Sequence, residues 1–359
     1  MRKKFLFESL VIVTAGALVS ALAVPALAAD DTTTISGKMF ADLTNYDASN
    51  DGVNSAANGF GIDVKRFYLG VTHNFDDVWS VNVTSDFNYV SNDSETQIYI
   101  KKAYVQAKLS DAFFGRLGSA DLPWVPFAED IYGYRWVENV LVDRLKFGTS
   151  ADWGLHAGGK VADGKFSYAA SVVNGAGYKN PTRSNSMDFE GRIAFAPISG
   201  LTFALGGYSG KLGKDVENST TPPQHTADRV DVLAAYVTKS LRVGAEYFQA
   251  DDWNNVTTPA SDKADGFSVW ASFNFDEQWS VFARGDSAKT SKDLSPDLKD
   301  EYFNAGVAAH PRKNVDVALV YKHEKVDGGG TINTSNGNFG GVAEGGKYDE
   351  VGIWTQVAF

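Results

Sequence analysis

The chain contains no cysteine, which excludes a disulfide framework and any thiolate metal site. Proline is sparse, at 10 of 359 residues. Basic residues are the minority, 33 against 44 acidic, for a formal charge of -11. Such a chain offers no broad basic face to nucleic acid phosphates. After residue 28 no apolar run approaches the roughly 18 residues that a spanning helix needs. The five histidines, His73, His156, His225, His310 and His323, stand apart with no H-E-x-x-H pairing. There is no G-x-S-x-G elbow and no phosphate-binding P-loop. No catalysis or cofactor is signalled, and a barrel hydrolase would need Ser, His and Asp groups converging at one rim. What is abundant is glycine, 35 residues, and aromatics at 13%, a composition of many strands and little helix.

The first residues have the form of a targeting signal. Arg2, Lys3 and Lys4 precede an apolar run from Leu10 to Val24, and Pro25 leads into Ala26-Leu27-Ala28, a small-residue cleavage pattern. The expected division is a secretory signal over 1–28 and one β domain over 29–359.

Alternation then dominates. Trp79, Val81 and Val83 alternate with Ser80, Asn82 and Thr84, and Phe267, Val269, Ala271 and Phe273 with Ser268, Trp270 and Ser272. Leu241 to Tyr247 and Val315 to Tyr321 repeat the pattern. A two-residue period with one apolar face marks a strand between two environments. Runs of about ten residues suit tilted membrane strands. Short turns at 76–77, 110–111, 163–164, 197–200, 239–240, 276–277 and 311–314 interleave with eight longer polar connections. About sixteen strands follow, and an even number fits a closed antiparallel transmembrane β-barrel.

Two features support closure. NFDDVWSV (74–81) and NFDEQWSV (274–281) are echoes, each with Phe before a two-acid turn and Trp after it. This places Phe75, Trp79, Phe275 and Trp279 as interfacial aromatics. In the terminal run, Val351, Ile353, Thr355, Val357 and Phe359 share one face. That run is expected to pair with a first strand over about 34–45, since an open edge in lipid leaves backbone groups unsatisfied. The final Phe after alternate apolar positions also resembles the recognition signature of outer-membrane barrels.

The longest connection, around 121–147, is too apolar for a solvated tip and is expected to fold into the lumen as a constriction. Its charges are Asp121, Glu129, Asp130, Arg135, Glu138, Asp143, Arg144 and Lys146. Charges inside apolar alternations should face inward, because facing lipid costs Arg or Lys about 2–4 kcal/mol. On the early strands this nominates Arg66, Asp86, Lys102, Lys108 and Arg116. On the later ones it nominates Glu190, Arg192, Arg229, Arg242, Glu246, Arg284 and Asp286. Lys101 beside Lys102 breaks the alternation, so one of them faces lipid, reaches an interface or sits at a bulge. Asp47-x-Ser49-x-Asp51-Gly52 has the opening of a calcium loop, but Asn58 stands where a bidentate acid is required; a turn-rich surface loop is expected there.

With VKRFYLGV (64–71), DDVWSVNVTSDF (76–87), IKKAYVQAKL (100–109), GRLGSADLPW (115–124), DRLKFG (143–148) and the terminal QVAF, the chain resembles the phosphate-selective O/P family of outer-membrane porins. The resemblance implies a sixteen-strand homotrimeric porin of the Gram-negative outer membrane, with a loop folded into its channel. Small hydrophilic solutes or ions and membrane lipid would be its partners, with no cofactor, and ion transport rather than catalysis its activity. Phosphate-selecting members carry a lumen ladder of arginines and a lysine-rich constriction. Here the inward charges are mixed in sign.

Overall fold

The structure is a computed structural model that describes residues 31–88 and 97–359; the signal expected over 1–28 lies outside them. The first strands are β1 (Thr32–Asn50), the two-residue β2 (Val53–Asn54), β3 (Gly59–Asn74), β4 (Trp79–Asn88), β5 (Gln97–Ser110) and β6 (Phe113–Asp121). Two short helices follow, α1 (Val125–Tyr132) and α2 (Leu141–Arg144). The middle strands are β7 (Ala151–Val161), β8 (Phe166–Val173), β9 (Asp188–Phe195), β10 (Leu201–Gly210), β11 (Ala227–Val237) and β12 (Leu241–Asp251). Then come β13 (Lys263–Asn274), β14 (Trp279–Lys289), β15 (Lys299–Arg312), β16 (Val315–Asp327), the small hairpin β17 (Thr331–Thr334) and β18 (Gly337–Gly341), and β19 (Gly345–Ala358).

Sixteen of these are the staves of one closed antiparallel barrel. Each pairs with its sequence neighbour, and β19 pairs back onto β1 with Met39 opposite Val357 and Leu43 opposite Ile353. Closure leaves no edge, the condition for burying a sheet in hydrocarbon. The two faces separate as the alternation requires. Val83, Leu205, Phe267, Phe273, Leu319 and Ile353 point outward and are exposed, whereas Asp86, Glu246, Trp270, Lys322 and Trp354 point inward and are buried.

The echoed turns are built alike. Phe75 N donates to Trp79 O and Phe275 N to Trp279 O, both at 2.9 Å. In each, the first Asp of the pair accepts two backbone N–H groups.

Among the register shifts in the ladders, two β-bulges each add a lysine to the inner face. Opposite β1 the register steps from Arg66 to Val64 and leaves Lys65 extra. Opposite β4 it steps from Lys102 to Ile100 and leaves Lys101 extra. A bulge lets two consecutive residues share one face. Lys65 and Lys101 are therefore buried on the inside beside Arg66 and Lys102, which resolves the broken alternation at Lys101-Lys102 in favour of the bulge.

At the long-connection end, Asp51 accepts hydrogen bonds from the amides of Ala343, Glu344 and Gly345 at 2.7–3.0 Å. These bonds, the one from Ala343 foremost, hold its carboxyl below the ordinary range. The calcium-like run is thus a clasp between two surface loops, with Asn58 donating to Asp47 inside it.

Candidate functional site

The connection over residues 122–150 leaves β6 and packs on the polar faces of distant staves. Pro126 lies in the first turn of α1, where its missing N–H costs nothing. Gly133 ends the helix at φ 80°, and any side chain there would meet the Arg242 guanidinium. Trp124 is fully buried; its backbone N–H donates to Glu190 at 2.9 Å and its indole to Glu246 at 3.0 Å.

A folded-in loop has carbonyls with no ladder to join, and buried carbonyls require donors. Wall cations supply them. Arg192 donates to Pro123 O at 3.0 Å, Arg242 to Ile131 O, Arg284 to Asn139 O at 2.5 Å, Lys322 to Val137 O at 2.8 Å and Arg229 to Phe147 O. The arginines nominated on β9 to β14 are therefore occupied in seating this segment. In return the loop's Arg144 reaches Asp286, Asp300 and Glu324 at 3.2, 2.6 and 3.1 Å with no exposed surface on its side chain. Glu138 meets Lys322 at 3.4 Å. Burial pushes the Glu138 carboxyl up, but Lys322 and the amides of Ser335 and Asn139 together hold it below its ordinary value.

The nominated residues thus divide by place. Asp121, Glu129, Asp130 and Arg135 line a cavity of about 530 Å³ beside β1, β3 and β5. Arg135, Asp143 and Lys146 line a second, of about 630 Å³, with Arg66 and Tyr178. Glu138 and Arg144 line neither; both are sealed in the loop's seat. Arg66 holds Asp86 at 2.8 Å, and Tyr178 donates to the same carboxylate at 2.6 Å. Lys102 pairs with Asp121 at 2.5 Å. Arg116 lies over the rings of Tyr104 and Phe114 and donates to Gln106. Lys108 sits at the lower end of β5, half exposed and paired with Asp111 of the turn at 2.8 Å, apart from the others. Burial raises the Glu129 carboxyl against the opposing pull of Arg135 beside it.

The two cavities meet at two cations, Lys101 and Arg135, which line both. Arg135 is paired with Glu129 at 2.5 Å. Lys101 is only 8% exposed, and its ammonium rests over the rings of Tyr68 and Tyr178 at 4.7 and 5.8 Å. Among the described residues no acid pairs with it. Glu129 and Asp86 lie near enough to favour its charge without forming an ion pair. Leaving aside the loop-seating Arg229 and its partner Glu190, five cations and two acids line the larger of the two cavities. Lys101, Lys65, Lys179 and the two tyrosines were not among the residues nominated from sequence. The signal that could have found the first two is the adjacent basic pair, read as a bulge.

No family model and no curated protein sequence matches the chain. Solved structures do. The fold is similar to that of an anion-selective porin from Comamonas acidovorans, at TM-score 0.67 and 13% identity over 92% of this chain and all of that one. It is also similar to the outer membrane channel DcaP of Acinetobacter baumannii, at TM-score 0.62 and 11% identity, covering 94% and 100%. A trimer form of OmpT, an outer membrane protein of Vibrio cholerae, matches at TM-score 0.59 and 13% identity, covering 92% and 100%. At these identities the likeness is one of architecture.

Proposed function

We propose that the chain is an outer-membrane porin of a Gram-negative bacterium, a water-filled channel through which small hydrophilic solutes and ions diffuse down their gradients. The observation that carries this reading is the pair of cavities joined at Lys101 and Arg135 inside a closed barrel. Passage requires no cofactor and no covalent step. In this reading the 122–150 segment narrows one half of the lumen, so that solutes pass along the β3–β8 side. The short turns face the periplasm, Phe75, Trp79, Phe275 and Trp279 stand at that interface, residues 1–28 are removed, and three copies assemble. Purified protein in a planar bilayer is expected to give discrete conductance steps, in multiples of three where trimers insert. Silent bilayers at protein levels that saturate insertion would remove the reading.

A second reading, anion preference of the kind found in the phosphate-selective O/P family, is favoured by Lys101 and by the cationic excess of the larger cavity. The arginines seating the loop lend it no support, since their donors are spent on carbonyls. The reversal potential in a KCl gradient is expected to have the sign of chloride preference, and potassium preference excludes this version while leaving the channel intact.

A further inference from the structure

At the short-turn end, three neighbouring staves bring Ser280 of β14, His310 of β15 and Asp316 of β16 into one hydrogen-bonded chain. The Ser280 hydroxyl lies 2.9 Å from His310 Nε2, and His310 Nδ1 lies 2.6 Å from Asp316 Oδ1. Gln356 donates to the other oxygen of Asp316 at 2.8 Å and fixes its carboxylate. The ladder between β15 and β16 slips between Ala309 and Arg312, where Pro311 offers no N–H, while on the β14 side His310 N donates to Gln278 O at 2.7 Å. Bulges that re-aim a side chain recur beside reactive groups. His310 and Asp316 line a cavity of about 690 Å³ that shares no residue with the two meeting at Lys101.

We propose that Ser280, His310 and Asp316 form a second site, an ester hydrolase that opens onto this cavity and is gated by Tyr134. The arrangement has the donor order of a serine nucleophile, an imidazole base and an orienting carboxylate. Tyr134 Oη is 3.2 Å from Ser280 Oγ, and its ring stacks on Phe282 at 4.2 Å. Ser280 is fully enclosed, so the phenol must swing aside before a carbonyl carbon can approach. In the proposed open state its hydroxyl donates to the developing oxyanion. Trp136 on the cavity wall suits a short acyl or aryl ester.

In the first half-reaction, Ser280 Oγ bonds to the carbonyl carbon while its proton passes to His310 Nε2. The bond to the leaving alcohol then breaks, and the alcohol takes that proton. Water, losing a proton to Nε2, next attacks the acyl-serine; the acid departs and Ser280 regains its proton. Asp316 holds the imidazole tautomer throughout.

The proposal does not depend on the channel reading. The test is a fluorophosphonate probe applied to the full barrel in detergent, read by intact mass and peptide mapping, with p-nitrophenyl acetate turnover alongside. One adduct at Ser280 is expected, absent in Ser280→Ala and formed at least about tenfold more slowly in His310→Gln. Tyr134→Ala should label faster yet turn over ester more slowly. Heat-modifiable migration on gels checks that each variant remains a barrel. The proposal is overturned if neither the wild type nor Tyr134→Ala is labelled at Ser280. Labelling indifferent to His310→Gln, or turnover that survives Ser280→Ala, overturns it equally.

Discussion

Lys179 and Lys101 show how the fold places charge on the walls of the barrel's cavities. Lys179 stands in the connection after β8, over the Tyr99 ring at 4.2 Å, on the wall of the larger cavity. Burial, and then the like charge of Arg66, lowers its ammonium to about 8. A cation with a lowered pKa loses its proton as pH rises through that value, so the channel sheds one positive charge between about pH 7 and 9. Chloride preference should therefore fall over that interval in reversal-potential measurements, and Lys179→Met should abolish the step. Lys101 stands where the two cavities meet, and a unit charge a few ångströms from a passing ion is worth on the order of 1 kcal/mol in a wet channel. Lys101→Gln should accordingly lower the chloride-to-potassium permeability ratio by about three- to tenfold. Equal ratios in wild type and variant would show that the throat lies elsewhere.

At the scale of elements, strands were legible and the loop's seat was not. The two-residue period depends only on neighbours along the chain, so it exposed the staves, the turns and the faces of Leu241 to Tyr247 directly. The partners of an inward charge lie on staves far off in sequence. Arg284 reads as a lumen cation from its own strand, but it is the carbonyl of Asn139, 145 residues away, that engages it. Arg144 was legible as a charge on an apolar loop and illegible as an anchor, since its three acids come from β14, β15 and β16. The bulge at Lys101 lay between these cases, visible as a break in the alternation and ambiguous in outcome. The anchor makes its own prediction. Arg144→Met leaves buried acids without their cation, a loss of about 3–5 kcal/mol for a broken buried pair. The ladder should survive while the 122–150 segment loosens. Limited proteolysis should then cut within that segment of the variant and spare the wild type, and single-channel current should become larger and noisier. A variant as resistant and as quiet as the parent would show that the cations donating to loop carbonyls suffice without Arg144.

The whole molecule depends on its seam. Thirteen residue pairs join β1 to β19, and beyond them Gly37 N donates to Phe359 O at 2.8 Å and Phe359 N to Gly37 O at 2.9 Å. The terminal ring lies over Gly37, where any Cβ would run into it. Backbone conformation does not demand glycine at position 37; a Cβ there would displace the outer edge of the terminal ring from its seat on the seam. In lipid each backbone group left open at such a seam costs several kcal/mol, so the seam weighs on the barrel as a unit. Gly37→Ala should lower the temperature at which the folded form converts to the unfolded form on detergent gels. Phe359→Ala should lower it too, by loss of ring contact. If the clash is the cause, the double variant will lose less than the sum of the two, because Gly37→Ala is harmless once the ring is gone. Coupling of this sign is expected for residues in contact and vanishes for independent ones. Strict additivity would mean that the terminal ring does not rest on Gly37 and that the closing strand is held by its ladder alone.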